Sequence, residues 1–232
     1  MNHSNLLAIE SSLEACSVAL SLDGEIREKF EHAPMRHAEL LLPMVRALLA
    51  EAGLTLNDLD VIAFGRGPGS FTGLRIGIGV VQGLAWGAGL PVVPVSSLAA
   101  LAQSAVEEGL RDEISGICVA VDARMHEVYT GSFEISNNGL VTPVSDEQVC
   151  PPARVCVDQA EFICAAGNGF ARYQELVDLG VGMASCLPDC WPRASAVCRL
   201  AARYLEQQQA LPAALAQPVY IRDNVADKPS AK

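Results

Sequence analysis

The chain has 232 residues, 50 % of them hydrophobic, enough to bury a substantial core as one large domain or two small ones. Its formal charge is −11, with 16 Lys and Arg against 27 Asp and Glu, which excludes a self-sufficient nucleic-acid binder, because phosphate binding needs clustered cations. The N-terminus passes from MNHSN straight into LLAIE with no basic leader and no long apolar run, so a cytoplasmic protein with neither export signal nor membrane span is expected.

LLAIESS (6–12) and CSVALSL (16–22) read as strands joined by a short polar turn, and after Asp23-Gly24, a hairpin signal, EIREKFEH (25–32) alternates as a third strand would. Residues 35–52 are helical in period, with His37, Leu41, Met44 and Leu48 on one stripe and Leu42, Val45 and Leu49 on another. Two apolar stripes predict two packing partners. Pro43 predicts a kink or a later true start, and Gly53 a C-cap. VIAFGRG (61–67) reads as a buried strand leading to a helix over about 71–89, then PVVPV (91–95) as a strand and Ser97 as the cap of a helix to about 108. GICVAVDAR (116–124) and HEVYTGSFEI (126–135) start a second strand-rich layout, which predicts two related α/β lobes, 1–108 and a smaller, divergent 109–232. A connector (149–157), a strand in FICAAGNG (162–169), a helix near Tyr173, a longer helix over 194–208 and a frayed polar tail (223–232) complete the second lobe.

The stretch GRGPGSFTGLRIGIG (65–79) invites a phosphate-loop reading, but Gly67 is followed by PGSFTGL and no Lys occurs between Gly65 and Gly89, so the P-loop pattern fails. The dinucleotide pattern fails as well, because Ser70 and Thr72 stand where its third glycine is required. At helical spacing Gly73, Ile76, Gly77, Val80, Gly83, Leu84 and Gly87 share one face and Leu74, Ile78, Val81 and Ala85 another, with Arg75, Gln82 and Trp86 between. Each interior glycine costs about 0.8–1 kcal/mol relative to Ala. Close approach to the chain's own sheet or to another subunit's helix would offset that cost, and the two apolar faces favour the second.

The eight cysteines are irregularly spaced, and Cys150, Cys156, Cys186 and Cys190 include no C-x-x-C pair, so buried free thiols are expected rather than disulfides or zinc. The histidines at 3, 32, 37 and 126 have no metal-ligand spacing, and Ser70 has no identifiable His–Asp pair to make it a nucleophile. Arg124, His126 and Glu127 suit hydrogen bonding across the lobes or contact with a partner, the former being favoured.

LLAIESSLEACSVAL, GRGPGSFTGLRIGIGVVQGLAWG, VDARMHEVY and PVYIRDNVA, in this order, closely resemble the TsaB (YeaZ) family of bacterial tRNA-modification proteins. The resemblance is dense to about residue 130, thin through the Cys-containing middle, and returns at 218–226. It implies an α/β actin-like, sugar-kinase-like ATPase (ASKHA) fold of two lobes, with mixed sheets flanked by helices. It also implies a part in forming threonylcarbamoyladenosine next to the anticodon of tRNA.

The resemblance implies that the chain is not the transferase but a non-catalytic scaffold subunit. It is expected to form a heterodimer with the larger catalytic paralogue TsaD through N-lobe helices. The resemblance also implies that the small ATPase TsaE joins them, that the chain alone forms a homodimer, and that tRNA is met only through the complex. ATP is expected to be used by the complex, and no cofactor or metal is expected on this chain alone. Where the paralogue carries a metal-binding His-x-x-x-His, Ser97 and Leu101 stand here, and Leu101 cannot ligate. The expected interface is Leu41, Met44 and Leu48 with Gly73, Ile76, Gly77, Val80, Gly83, Leu84 and Gly87. Glu10, Ser11 and Ser12 with Asp122 are expected to mark a vestigial nucleotide cleft, and an ATP-dependent enzyme acting through Glu10 and Asp122 is the alternative.

Overall fold

The computed structural model describes residues 4–110, 113–157 and 162–222, so the predicted tail 223–232 and His3 lie outside the described residues. The chain opens with three strands, β1 (Leu6–Glu10), β2 (Ala15–Leu22) and β3 (Glu25–His32), followed by α1 (His37–Ala52), β4 (Val61–Gly65), α2 (Phe71–Ala88), β5 (Val92–Val95) and α3 (Ser97–Glu107). These strands form a five-stranded sheet in the order β3-β2-β1-β4-β5, antiparallel from β1 to β3 and parallel from β1 to β5.

The same plan recurs in the second half. There β6 (Gly116–Asp122), β7 (Val128–Ile135), β8 (Val141–Pro143), β9 (Gln148–Cys150), β10 (Ile163–Ala166) and β11 (Ser185–Leu187) form a sheet in the order β11-β10-β6-β7-β8, with β9 also on β7. Short helices α4 (Gly169–Arg172) and α5 (Gln174–Val181) follow β10, and α6 (Ala194–Glu206) follows β11.

Side-chain alternation along β1 sets the layering. Leu7 and Ile9 face α1 and α2, whereas Leu6 and Ala8 face α3 and α6, so the strand is buried throughout and reads as an apolar run. The layers run α1 and α2, first sheet, α3 and α6, second sheet, then α4 and α5. The core between the sheets is continuous, joining Val93 and Leu101 of the first lobe to Val119 and Phe133 of the second through Val197 and Leu200 of α6. A lobe boundary near 108 therefore marks the change of sheet but not of packing. Helix α6 covers the first sheet, and the segment after it returns to the first lobe, pairing Leu211 with Val92 and giving the Val219 N–H to the Arg66 carbonyl at 2.8 Å.

Several local expectations are refined. Helix α1 begins at His37, so Pro43 lies inside it rather than at its start, and Gly53 closes it in the left-handed conformation. Ser96, not Ser97, caps α3, accepting the Ala99 N–H at 3.1 Å. Leu42 is 40 % exposed, so the second stripe of α1 reaches solvent in the helix's second turn while Val45 and Leu49 are buried. All eight cysteines are free thiols, but Cys156 and Cys186 are exposed. Burial pushes the Cys16 and Cys118 thiols up to about 12 and that of Cys164 to about 11.

Candidate functional site

The glycine-rich segment divides into two parts with different neighbours. Ser70 caps α2 through the Gly73 N–H (3.3 Å) and donates its own N–H to the Ser12 carbonyl at 2.6 Å. A Cβ on Gly69 would overlap Ser12, and a Cβ on Gly73 or Gly77 would overlap the Ser11 carbonyl or hydroxyl. Ser11 Oγ in turn donates to the Gly73 carbonyl at 3.0 Å. Ser11 and Ser12 thus seat the first turns of α2 on β1, and their burial removes them from any nucleotide cleft. Farther along, a Cβ on Gly79, Gly83 or Gly87 would meet nothing within 4 Å.

The expected interface separates accordingly. Leu41, Met44 and Leu48 are buried in the chain's own core against β2 and α2, with Leu41 at 0 % exposure, and Gly73 and Gly77 lie beneath Ser11; none of these five has surface to offer a partner. The outward face of α2 keeps Ile76, Val80 and Leu84, half-buried, beside exposed Gly83 and Gly87 and their neighbour Gly79. Ala47 and exposed Leu42 and Pro43 lie on α1, which packs against α2. Sequence spacing misses this division because both sides of the helix are apolar, and only the position of Ser11 decides which glycines are covered.

Glu10 is 1 % exposed, accepting the Ser12 N–H at 2.6 Å and the Ser97 hydroxyl at 3.0 Å. Burial raises its pKa, opposed by those hydrogen bonds. Ser97 Oγ also accepts the Gly67 N–H at 3.2 Å, and Leu101 is core, so the two positions expected to replace a His pair hold the Gly-Pro turn and fill α3's packing face.

Asp122 stands at the rim of a cavity of about 900 Å³ between the lobes, but its carboxylate is fully engaged. Tyr173 Oη donates to it at 2.6 Å, the Arg124 N–H at 3.0 Å, and the Arg124 and Arg172 guanidinium groups lie 3.3 and 3.2 Å away. Burial first, then Asp122, raises the Tyr173 pKa. The expected grouping of Glu10, Ser11, Ser12 and Asp122 is not formed, since among the four only Asp122 lines the cavity.

Its walls join Arg124, which the sequence singles out, to residues that sequence spacing missed. From the first lobe come Leu13, Glu14 and Phe71, from the second Arg124 and Met125, and from the C-terminal segment Tyr220 and Arg222. Arg124, Met125 and His126 are successive left-handed residues at φ 63, 53 and 56 in the β6–β7 turn. Arg124 reaches Glu14 of the other lobe at 3.9 Å, while Arg222 pairs with Glu127 and donates to the Arg124 carbonyl at 3.4 Å. This turn therefore binds across the lobes, as expected of Arg124 and Glu127, whereas His126 stays within its lobe, 3.8 Å from Glu175. His37 also lines the cavity near Ser70, but its Nε2 donates to the Leu13 and Ala15 carbonyls at 2.8 and 3.2 Å, so it is not placed as a base.

A strand order repeated in two halves, each with an antiparallel trio and a parallel extension and with a cavity between, defines the two-lobed actin-like, sugar-kinase-like α/β class. The family model described as "TsaD: tRNA N6-adenosine threonylcarbamoyltransferase" matches residues 31–230. The tRNA threonylcarbamoyladenosine biosynthesis proteins TsaB of Escherichia coli and Haemophilus influenzae are each 38 % identical, over 96 % and 98 % of both chains. The solved structure of YeaZ from Pseudomonas aeruginosa superposes with a TM-score of 0.85 at 42 % identity, covering 94 % of this chain and all of that one. The chain belongs to the TsaB (YeaZ) family.

Proposed function

We propose that this chain is a non-catalytic scaffold subunit for threonylcarbamoyladenosine formation on tRNA, pairing with the catalytic paralogue TsaD through the outward face of α1 and α2. The observation that carries the reading is the strip Gly79, Gly83 and Gly87, bare of Cβ atoms, open to solvent and flanked by Ile76, Val80 and Leu84. Glycines in an exposed helix are unfavourable in the free chain, by about 0.8–1 kcal/mol each relative to Ala. A partner helix approaching closely over them supplies the compensation.

The same face serves self-association when the chain is alone. TsaE and tRNA are met through the complex, in the cytoplasm, and ATP is used there rather than on this chain. An enzyme acting through Glu10 and Asp122 is disfavoured, because one carboxylate is buried and the other is held by two arginines and a tyrosine.

Gly83→Leu tests the reading, since a Cβ at this position meets nothing within 4 Å in the free chain. Light scattering on a sizing column should show a folded protein that no longer forms a one-to-one heterodimer with the paralogue. Normal assembly of this variant would overturn the assignment.

A further inference from the structure

Exposed large apolar side chains gather around the interlobe cavity. Met35, 96 % exposed, Phe71, Met125, Val219 and Tyr220 all line it. Contiguous exposed apolar surface marks an interaction site, and methionines suit adaptable contacts. The charges of the walls are already compensated within the chain, Arg124 by Asp122 and Glu14 and Arg222 by Glu127.

One cation beside the cavity is different, because it does not line the cavity itself but contacts two residues that do. Arg75 stacks on Phe71, 3.6 Å from its ring centroid, and donates Nε–H to Tyr220 Oη at 3.1 Å, while its terminal nitrogens meet no carboxylate among the described residues. An exposed guanidinium with no carboxylate partner among the described residues is free to take an anion from outside. A polyphosphate needs several uncompensated cations, whereas a single carboxylate matches one guanidinium fork.

The cavity is also continuous with the α2 face, because Thr72 and Ile76 belong to both. We propose that the cavity receives a protein segment bearing an apolar side chain next to a carboxylate, the apolar group entering among Met35, Phe71 and Met125 and the carboxylate pairing with Arg75. The segment belongs to the subunit that docks on α1 and α2, so the inference rests on the docking reading above. It gives that subunit an anchor at the end of a helical interface.

The test is titration calorimetry of the full chain with the purified paralogue, comparing Met125→Glu, Arg75→Glu, Arg75→Lys and Gly83→Leu. Circular dichroism and the melting midpoint check each fold, and Met35→Glu on the opposite wall replaces Met125→Glu if that variant melts early. The expected result is a tenfold or greater weakening for Met125→Glu and Arg75→Glu, with Arg75→Lys intermediate because an ammonium lacks the paired donors.

Wild-type affinity in the cavity variants with pairing lost only in Gly83→Leu overturns the inference and leaves the docking reading standing. Wild-type affinity in every variant overturns both. Unchanged affinity with lost threonylcarbamoyladenosine formation in the reconstituted complex also overturns it and assigns the cavity to a small molecule.

Discussion

Glu10 shows how a residue type can suggest one role and its surroundings assign another. An acidic residue at the end of the first strand of this fold suggests metal or phosphate chemistry, yet here the carboxyl lies under the Gly65 backbone, where a Cβ would overlap it, and binds Ser97. Its raised folded-state pKa has a definite consequence. The folded chain holds the Glu10 proton more tightly than the unfolded one, so this contribution to stability is full below the unfolded value and is lost as pH rises through the folded value. Glu10→Gln should flatten that dependence: its melting midpoint should change less than the wild type's between about pH 5 and about pH 8. An identical dependence in both proteins would mean that Glu10 is not the group responsible. The sequence reveals Glu10, Ser11 and Ser12 as unusual polar residues in an apolar strand end, but not that they are engaged with α2, its cap and α3, because those partners lie more than fifty positions away.

Helix α2 makes opposite demands on its glycines within a few turns, and the two demands predict opposite signs. Gly77→Ala forces a Cβ into Ser11 Oγ and should destabilise the chain by about 1–3 kcal/mol, as overpacking does. Gly83→Ala has open space and should stabilise it by about 0.8–1 kcal/mol through helix propensity alone. Urea unfolding of the two variants checks both, and equal shifts would contradict the division. In α1, Leu48→Ala removes a side chain only 2 % exposed and should cost about 2–5 kcal/mol while leaving the affinity of the folded fraction for the paralogue unchanged. Helical period identifies the apolar positions of both helices correctly. It does not say which stripe meets the sheet, because Leu41 and Leu42 are equally hydrophobic and differ only in the direction in which the helix is set down.

Across the whole molecule, the lobes share one core through α3 and α6, and Arg193 at the start of α6 holds Glu28 of β3 at 2.7 Å. A fragment of residues 1–108 therefore leaves one face of its sheet largely uncovered and should lack a cooperative thermal transition by circular dichroism, in contrast to the full chain. A sharp transition in the fragment would show that the lobe is self-sufficient. The sequence by itself determined the strand and helix order of the first lobe, the restart near 116 and the family, because strand alternation, helical period, turn residues and the four motif blocks are local or ordered along the chain. Short β8, β9 and β11 escaped it, being three residues each and too brief to display a period. Tertiary structure alone decided which apolar stripe faces solvent, that α6 and the segment to Arg222 return to the first lobe, and that Phe71, Met125 and Tyr220 meet around one cavity with Arg75 against two of them. These are contacts between distant parts of the chain, and their geometry depends on how layers stack rather than on any local spacing.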